Sequence, residues 1–271
     1  MSGTDSGPPP HPTANRSRLD PAYPKVKLGR RQELEQLVRE HALDIELYLQ
    51  LAALHRAEDR PLEARRLLQQ ALQLSKEDPR VLWEFEEATL ARSLQQYREV
   101  SDLAARLHTP EVDRELKRSQ TDWANRRLEV CRARLARDPS KHSLRLVVAE
   151  ALYDLGMFKE ACEELQPCLD IDALAPSANL ICGKCLLDQG QDIAALSALR
   201  SVGLRRAVPS PAKLRVTALR LALDIAQRHH LDLSVERYRH ALEAAEHDLA
   251  KDHKPAEQKH AEPERTRSVV E

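Results

Sequence analysis

Four of the five cysteines lie close together in the sequence, and they are the residues with the most recognisable chemistry: Cys162, Cys168, Cys182 and Cys185. Cys182 and Cys185 have the C-x-x-C spacing found in zinc sites and in redox dithiols. Both, however, lie inside the helix-forming run Leu180–Leu186, whereas structural zinc pairs usually come from tight turns. Small thiols on a helix pack as apolar core residues. We therefore expect core thiols here, with no metal site and no cofactor.

Residues 114–145 form a second stretch with possible chemistry, because it contains ten basic residues and only four acidic ones. A basic ridge of this kind can contact RNA or an acidic partner. Trp123 is its only aromatic residue, so base stacking would be poor. The formal net charge of the whole chain is −1, which argues against binding nucleic acid mainly by charge. We expect a solvated helix face and leave an anion-binding face as an alternative. The basic residues are Arg114, Lys117, Arg118, Arg126, Arg127, Arg132, Arg134, Arg137, Lys141 and Arg145.

Catalytic motifs are absent from the sequence: it contains no glycine-rich phosphate loop, no G-x-S-x-G and no H-E-x-x-H. The many aspartates and glutamates fall on predicted helix faces, where pairing with lysine or arginine is their usual role. We therefore expect a protein that is not an enzyme. The N-terminus has neither the basic nor the apolar region of a secretory signal, and no apolar run approaches the roughly 18 residues that span a bilayer. We expect a cytoplasmic protein.

The composition predicts an all-α fold. Glycine is scarce, with 7 residues, aromatic residues make up 3%, and the chain is rich in the strong helix formers Leu, Ala, Arg, Gln and Glu. Prolines that follow a capping or polar residue, such as Pro61, Pro79 and Pro110, are typical of a helix's first turn. Gly156 and Gly190 stand where one helix should end and the next begin. These start and stop signals predict helices of about 12 to 18 residues that pack as antiparallel hairpins.

Both ends of the chain differ from this pattern. Residues 1–27 are rich in proline and serine, and residues 252–271 are charged and interrupted by prolines. Neither segment has enough apolar residues to form a packed core. We expect both to be disordered, with a helical domain at 28–251 between them.

An internal repeat is visible when His142–Ala175 is aligned on Pro176–Pro209, a shift of 34 residues. Gly156 then falls on Gly190 and Ala161 on Ala195. Small residues at these positions allow helices to approach closely, and the glycines end the first helix of each unit. The repeated spacing therefore predicts tandem helix pairs.

The pattern resembles the tetratricopeptide repeat (TPR) family, with Leu152–Ala161 similar to the turn between the two helices of a unit. Further copies lie near 45–78 and 215–248, while 79–141 lacks the small-residue pattern and is interpreted as two degenerate pairs. The resemblance implies an all-α, right-handed superhelical solenoid of about five to six antiparallel helix pairs. Residues expected in repeat packing are Ala52, Ala64, Ala71, Ala149, Gly156, Ala161, Gly183, Gly190, Ala195, Ala222 and Ala241.

In that family the first helices line a concave groove that binds peptides or helices. The residues expected to line it here are Leu49, Ala53, Arg56, Leu146, Glu150, Tyr153, Leu180, Lys184, Leu187, Leu219, Leu223 and Gln227. This mostly apolar wall suits an amphipathic helix or an apolar peptide. Equally open is that a helix of the chain itself fills the groove, or that the leucines at 146, 180 and 219 belong to the core. The basic set with which family members bind acidic C-termini is missing, since Lys184 and Arg220 stand alone.

The functional hypothesis from the sequence is a non-catalytic scaffold or adaptor that binds a peptide or an amphipathic helix of another protein. One alternative is a structural subunit of a larger complex or of a homodimer. A less favoured alternative is an RNA- or anion-binding helical protein that uses residues 114–145.

Overall fold

The structure, a computed structural model, describes residues 29–75, 78–204 and 209–259, with side chains as far as residue 251. Across these ranges the chain forms eleven α-helices and no strand, as the composition predicts. None of the described helices has the length and apolar character to cross a bilayer. Residues 1–28 and 260–271, which include most of the segments expected to be disordered, lie outside the described ranges. The helices are α1 (Arg30–Glu40), α2 (Ile45–Ala57), α3 (Pro61–Leu74), α4 (Pro79–Leu107), α5 (Pro110–Arg137), α6 (His142–Asp154), α7 (Phe158–Leu169), α8 (Ala175–Asp188), α9 (Asp192–Gly203), α10 (Ala212–Arg228) and α11 (Asp232–Lys259).

Each helix packs mainly on the helix before it and the helix after it in the sequence. Within the described part of the chain, α2 to α11 form five consecutive pairs, and α1 packs on α2. The first helices also touch the first helix of a neighbouring pair: α2 contacts α4, α6 contacts α8, and α8 contacts α10. This layered packing gives a solenoid of helix pairs rather than a single closed core.

The segment 79–141 corrects the expectation of two degenerate pairs. It forms one pair of long helices, with α4 of 29 residues and α5 of 28. Pro79 and Pro110 occupy the first turns, and Asp78 and Thr109 cap them. No glycine or proline interrupts either helix after that, and α4 ends only at His108, which has a left-handed φ of 48°. A pattern without breaks favours one long helix over two short ones.

The C-terminal boundary also differs from the expectation, because α11 continues to Lys259 and the segment expected to be disordered begins at 252. The added residues are mostly Ala, Glu, Gln and Lys, which favour helix. Pro255 lies within this part of the helix. A proline there removes one backbone hydrogen bond but does not by itself end a helix, which often kinks instead.

The turns of four of the five described helix pairs share one geometry, and this is the strongest sign of a true repeat. Met157 donates its backbone N–H to Leu152 at 2.9 Å, and Gln191 donates to Leu186 at 2.8 Å. The residue before each donor is glycine in the left-handed region, with φ of 76° at Gly156 and 73° at Gly190. This is the Schellman arrangement that closes a helix C-terminus.

Two further turns have the same hydrogen bond without glycine. Arg60 donates to His55 at 2.8 Å and Leu231 donates to the carbonyl of residue 226 at 2.9 Å. The left-handed residues there are Asp59 and His230, with φ of 56° and 53°. Four of the five pairs therefore use the same turn, which the sequence alone suggested for only two.

Small residues sit where helices meet. Gly183 faces Leu199 so closely that a Cβ atom would lie 2.7 Å from its Cδ2. Ala241 of α11 is half-buried against the last core cluster. The other seven alanines expected in repeat packing have no exposed surface: Ala52, Ala64, Ala71, Ala149, Ala161, Ala195 and Ala222.

Candidate functional site

The sequence-predicted groove residues fall into different environments. Leu180 and Leu219 are buried in the core cluster of the last two pairs, which corrects their assignment to an open wall and matches the core alternative. Leu219 is only 1% exposed, and a Cβ atom on Gly203 would lie 2.8 Å from its Cδ2. Leucine side chains at 146, 187 and 223 are half-buried against core clusters. The middle and end of the predicted wall therefore offer little free apolar surface.

Two polar members of the predicted wall, Glu150 and Tyr153, contact residues of neighbouring helices. Glu150 lies 3.9 Å from Arg127. The rings of Tyr153 and Phe158 pack with their centroids 5.5 Å apart. Burial, together with a hydrogen bond to Asp188, raises the pKa of Tyr153 to about 12. Two more predicted wall residues, Lys184 and Gln227, are half-buried and exposed, respectively.

An open apolar cavity of about 450 Å³ lies between α2 and α4, and it contains two of the predicted wall residues, Leu49 and Ala53. We call it the α2–α4 groove. The largest side chain of its lining is Trp83 of α4, which is 39% exposed. The groove is lined by Leu49, Ala53, Pro79, Arg80, Trp83 and Glu84.

The start of α4 fixes one wall of this groove. Asp78 caps the helix by accepting a hydrogen bond from the backbone N–H of Arg80 at 2.9 Å. Hydrogen bonds from Arg80 hold the pKa of Asp78 below its usual range. Pro79 presets the first turn. Because Trp83 comes one turn later, its ring is placed by a rigid helix start rather than by a loop.

A buried cation, the guanidinium of Arg134, packs on the ring of Trp83. The guanidinium carbon of Arg134 lies 3.6 Å from the ring centroid, and Lys141 Nζ lies 5.2 Å from it. Arg134 is 5% exposed and donates hydrogen bonds to Glu86 at 2.8 Å and to Glu87 at 2.7 Å. Burial lowers the pKa of Arg134, but these carboxylates outweigh burial and the net shift is upward. The indole is therefore held in one orientation before any partner arrives.

Ion pairs border the groove at two places. Arg56, the third predicted wall residue of α2, pairs with Glu84. Arg80 lies 3.4 Å from Glu46 of α2. These side chains are at least a third exposed, apart from Glu84 at 32%. Exposed pairs contribute little to stability, so a partner can exchange them at low cost.

Sequence reasoning missed Trp83 as a groove residue, although the repeat contains the signal. Trp83 lies 34 residues after Leu49, the same shift that superposes the two clear units. Extending the offset from Leu49 into the motif-poor segment would have placed the tryptophan on the wall.

The cysteines lie in the core cluster of α5 to α8, as predicted. Cys168, Cys182 and Cys185 are buried there and Cys162 is half-buried. Burial raises the pKa of Cys182, and it raises that of Cys185 to about 12. In the described part of the chain, no three His, Cys, Asp or Glu side chains are arranged to hold a metal ion.

The basic stretch 114–145 is largely engaged within the protein. Seven of its ten basic residues form ion pairs with described acidic residues. Arg127, for example, pairs with Asp154 of α6, and Arg145 pairs with Glu164 of α7. Lys117, Arg118 and Arg132 are exposed and have no ion pair with a described residue. Four of the seven paired residues, at 127, 134, 137 and 145, pair with acidic residues of other helices, and the other three pair locally.

Tandem helix pairs with one repeated turn, small residues at the contacts and touching first helices define a TPR-like solenoid. The fold resembles that of YrrB, a solved TPR protein described as having an unusual peptide-binding site. The two sequences are 17% identical, the match covers 84% of this chain and 98% of YrrB, and the TM-score is 0.45. The fold also resembles a chain of Naa15/Naa10 bound to HypK-THB, with 15% identity and a TM-score of 0.36; 79% of this chain is covered but only 36% of that one. No protein-family model and no curated protein matches the chain. Because both TM-scores are below 0.5, the description as a TPR-like solenoid rests on the geometry of the helix pairs in this chain.

Proposed function

We propose that this protein is a non-catalytic interaction scaffold whose α2–α4 groove binds apolar side chains of a partner peptide or amphipathic helix. The observation that carries the proposal is the exposed indole of Trp83 in an apolar cavity of about 450 Å³. Pockets that bind ligands commonly have about 300–1,000 Å³. Tryptophan is also among the residues that contribute most to binding energy at interfaces.

The groove is preorganised for such a partner. Trp83 stacks on Arg134, and Arg134 is fixed by two carboxylates. A side chain already held in its bound orientation loses little conformational entropy on binding. The apolar floor and the charged border, with Arg56 and Arg80, also match the usual anatomy of a protein interface.

An amphipathic helix or extended peptide fits this site better than a nucleic acid does. The groove is lined mostly by apolar surface, and the basic stretch is largely used in ion pairs within the chain. Phosphate contacts need free cations. A self-associating subunit is the alternative role, and the size of the purified chain in solution distinguishes it from a monomeric scaffold.

A peptide display library tests the proposal with the purified chain. Peptides selected on the wild type are measured against Ala53→Arg, which places a long cation in the groove, and against Ala57→Arg, the same change on an exposed residue of α2 that does not line it. We expect apolar or aromatic peptides that lose roughly tenfold or more in affinity with Ala53→Arg and keep it with Ala57→Arg. Failure to select peptides, or equal binding by both variants, would contradict the proposal.

A further inference from the structure

A second cavity, of about 340 Å³, lies between α3, α4 and α5, and its lining is polar. It shares no residue with the α2–α4 groove. Its lining consists of Arg65, Thr89, Arg92, Ser93, Gln96, Asp122, Asn125, Arg126 and Glu129. A smaller cavity of about 220 Å³ continues from it between α4 and α5 and shares four of these residues. The cavity is therefore distinct from the site described above.

Two buried polar groups on this lining lack partners. Thr89 is 8% exposed, and its Oγ1 has no hydrogen-bond partner among the described residues. The Nε of Arg65 is also buried and has no acceptor there. A buried polar group without a partner costs about 1–3 kcal/mol. A wall that holds two such groups around one cavity is suited to a ligand that satisfies both.

The charges on the lining indicate the class of that ligand. Three guanidinium groups face two carboxylates, those of Asp122 and Glu129. Arg126 is paired with Glu129 at 2.6 Å, and Arg92 donates to Gln95 at 2.9 Å and lies 3.9 Å from Glu99. Arg65 forms no ion pair with a described residue. Asp122 of α5 is likewise without an ion pair to a described residue, and Arg65 on α3 is the one cation of this lining that is left without an anionic partner.

We propose that this cavity binds a small polar carboxylate of metabolite size. Its anionic group would accept hydrogen bonds from the guanidinium of Arg65, which matches a carboxylate in geometry, and from the hydroxyl of Thr89. Serine, asparagine and glutamine side chains on the rest of the lining suit a body with hydroxyl groups rather than an apolar one. A carboxylate would supply the anionic partner that Arg65 lacks among the described residues.

Thermal unfolding and calorimetric titration with sodium gluconate, glycerate and acetate test this proposal, with sodium chloride at equal ionic strength as the reference. Inorganic phosphate serves as the competing oxyanion. We expect a carboxylate to raise the unfolding temperature beyond chloride, since a ligand that binds only the folded state stabilises it. Either no carboxylate effect beyond chloride or a stronger response to phosphate overturns the proposal.

Substitutions of lining residues test whether the carboxylate binds in this cavity. Arg65→Gln and Thr89→Val should each weaken carboxylate binding, Arg65→Gln by roughly tenfold or more, because each removes a proposed donor. Arg66→Gln, on an exposed neighbour outside the lining, should not. Thr89→Val is nearly isosteric, so it remains informative if Arg65→Gln misfolds. Unchanged affinity in Thr89→Val and Arg65→Gln would mean that the ligand binds elsewhere, which also overturns the proposal.

Discussion

Arg134 of α5 lies under the ring of Trp83 of α4, with 3.6 Å between the guanidinium carbon and the ring centroid. The same guanidinium is paired with Glu86, which also accepts hydrogen bonds from Arg137 at 2.6 and 2.8 Å. One buried cation therefore joins the two long helices and supports the tryptophan exposed in the groove. Arg134 therefore couples the stability of the α4–α5 helix pair to the shape of the α2–α4 groove.

Removal of that cation should destabilise the fold. Arg134→Met leaves the buried Glu86 and the half-buried Glu87 with fewer partners, and we expect a loss of about 2–4 kcal/mol in the free energy of unfolding. Arg137 still neutralises Glu86, which keeps the loss below that of an unpaired charge. Urea unfolding followed by circular dichroism measures it.

Arg132→Met is the matched control, since Arg132 is exposed on the same helix. Its free energy of unfolding should change by about 0.5 kcal/mol or less. Equal losses in the two variants would show that the buried pairing contributes nothing specific.

Because the four turns share one geometry, removing a glycine from the left-handed position and introducing one there should change the free energy of unfolding in opposite directions. Gly156→Ala and Gly190→Ala should each lower the free energy of unfolding by about 1 kcal/mol, because a Cβ atom is strained at these positive φ values. His230→Gly should raise it by about 0.5 kcal/mol by relieving the same strain. Denaturant titrations of the three variants provide the values. Effects of opposite sign at 156 and 190 would contradict equivalence of the units.

Tyr153 gives the protein a defined pH dependence. Its pKa of about 12 lies above the value of about 10 in an unfolded chain, so its contribution to stability is complete below pH 10 and is lost as the pH rises to about 12. A spectrophotometric titration should show one phenol that ionises near pH 12, and Tyr153→Phe should remove it. In that variant, stability should also fall less between pH 10 and 12; an identical fall in both proteins would count against this assignment.

Thiol reactivity should follow burial. Cys162 is half-buried, whereas Cys131, Cys168, Cys182 and Cys185 are buried and their pKa values are raised by desolvation. Because the thiolate is the nucleophile, we expect an aromatic disulfide reagent at pH 8 to label Cys162 first. The four buried thiols should react only as fast as the domain opens, as measured by mass spectrometry of quenched samples. Early labelling of Cys185 would mean that this core is open.

Much of the fold could be predicted from local signals. The 34-residue offset placed Gly156 and Gly190 in turns that share the same hydrogen bond. Glycine is informative there because few other residues adopt a left-handed conformation. Asp59 and His230 occupy the same position, but nothing in their residue types identified it.

Long-range relationships could not be predicted. The pairing of Arg134 with Glu86 spans 48 residues, and no spacing rule connects them. The prediction of two degenerate pairs at 79–141 was wrong, because the unbroken patterns of this segment form two long helices instead. Leu180 and Leu219 show a further limit, since an apolar residue on a first helix can face either the groove or the next pair.

The most direct measurement of groove binding uses Trp83 itself. The chain has two tryptophans, so Trp123→Phe leaves Trp83 as the sole indole emitter. A peptide selected on the wild type should shift its emission to shorter wavelength and protect it from acrylamide, with both effects lost in Ala53→Arg. If labelled peptide binds by anisotropy while the emission and quenching of Trp83 stay unchanged, the α2–α4 groove is not the binding site.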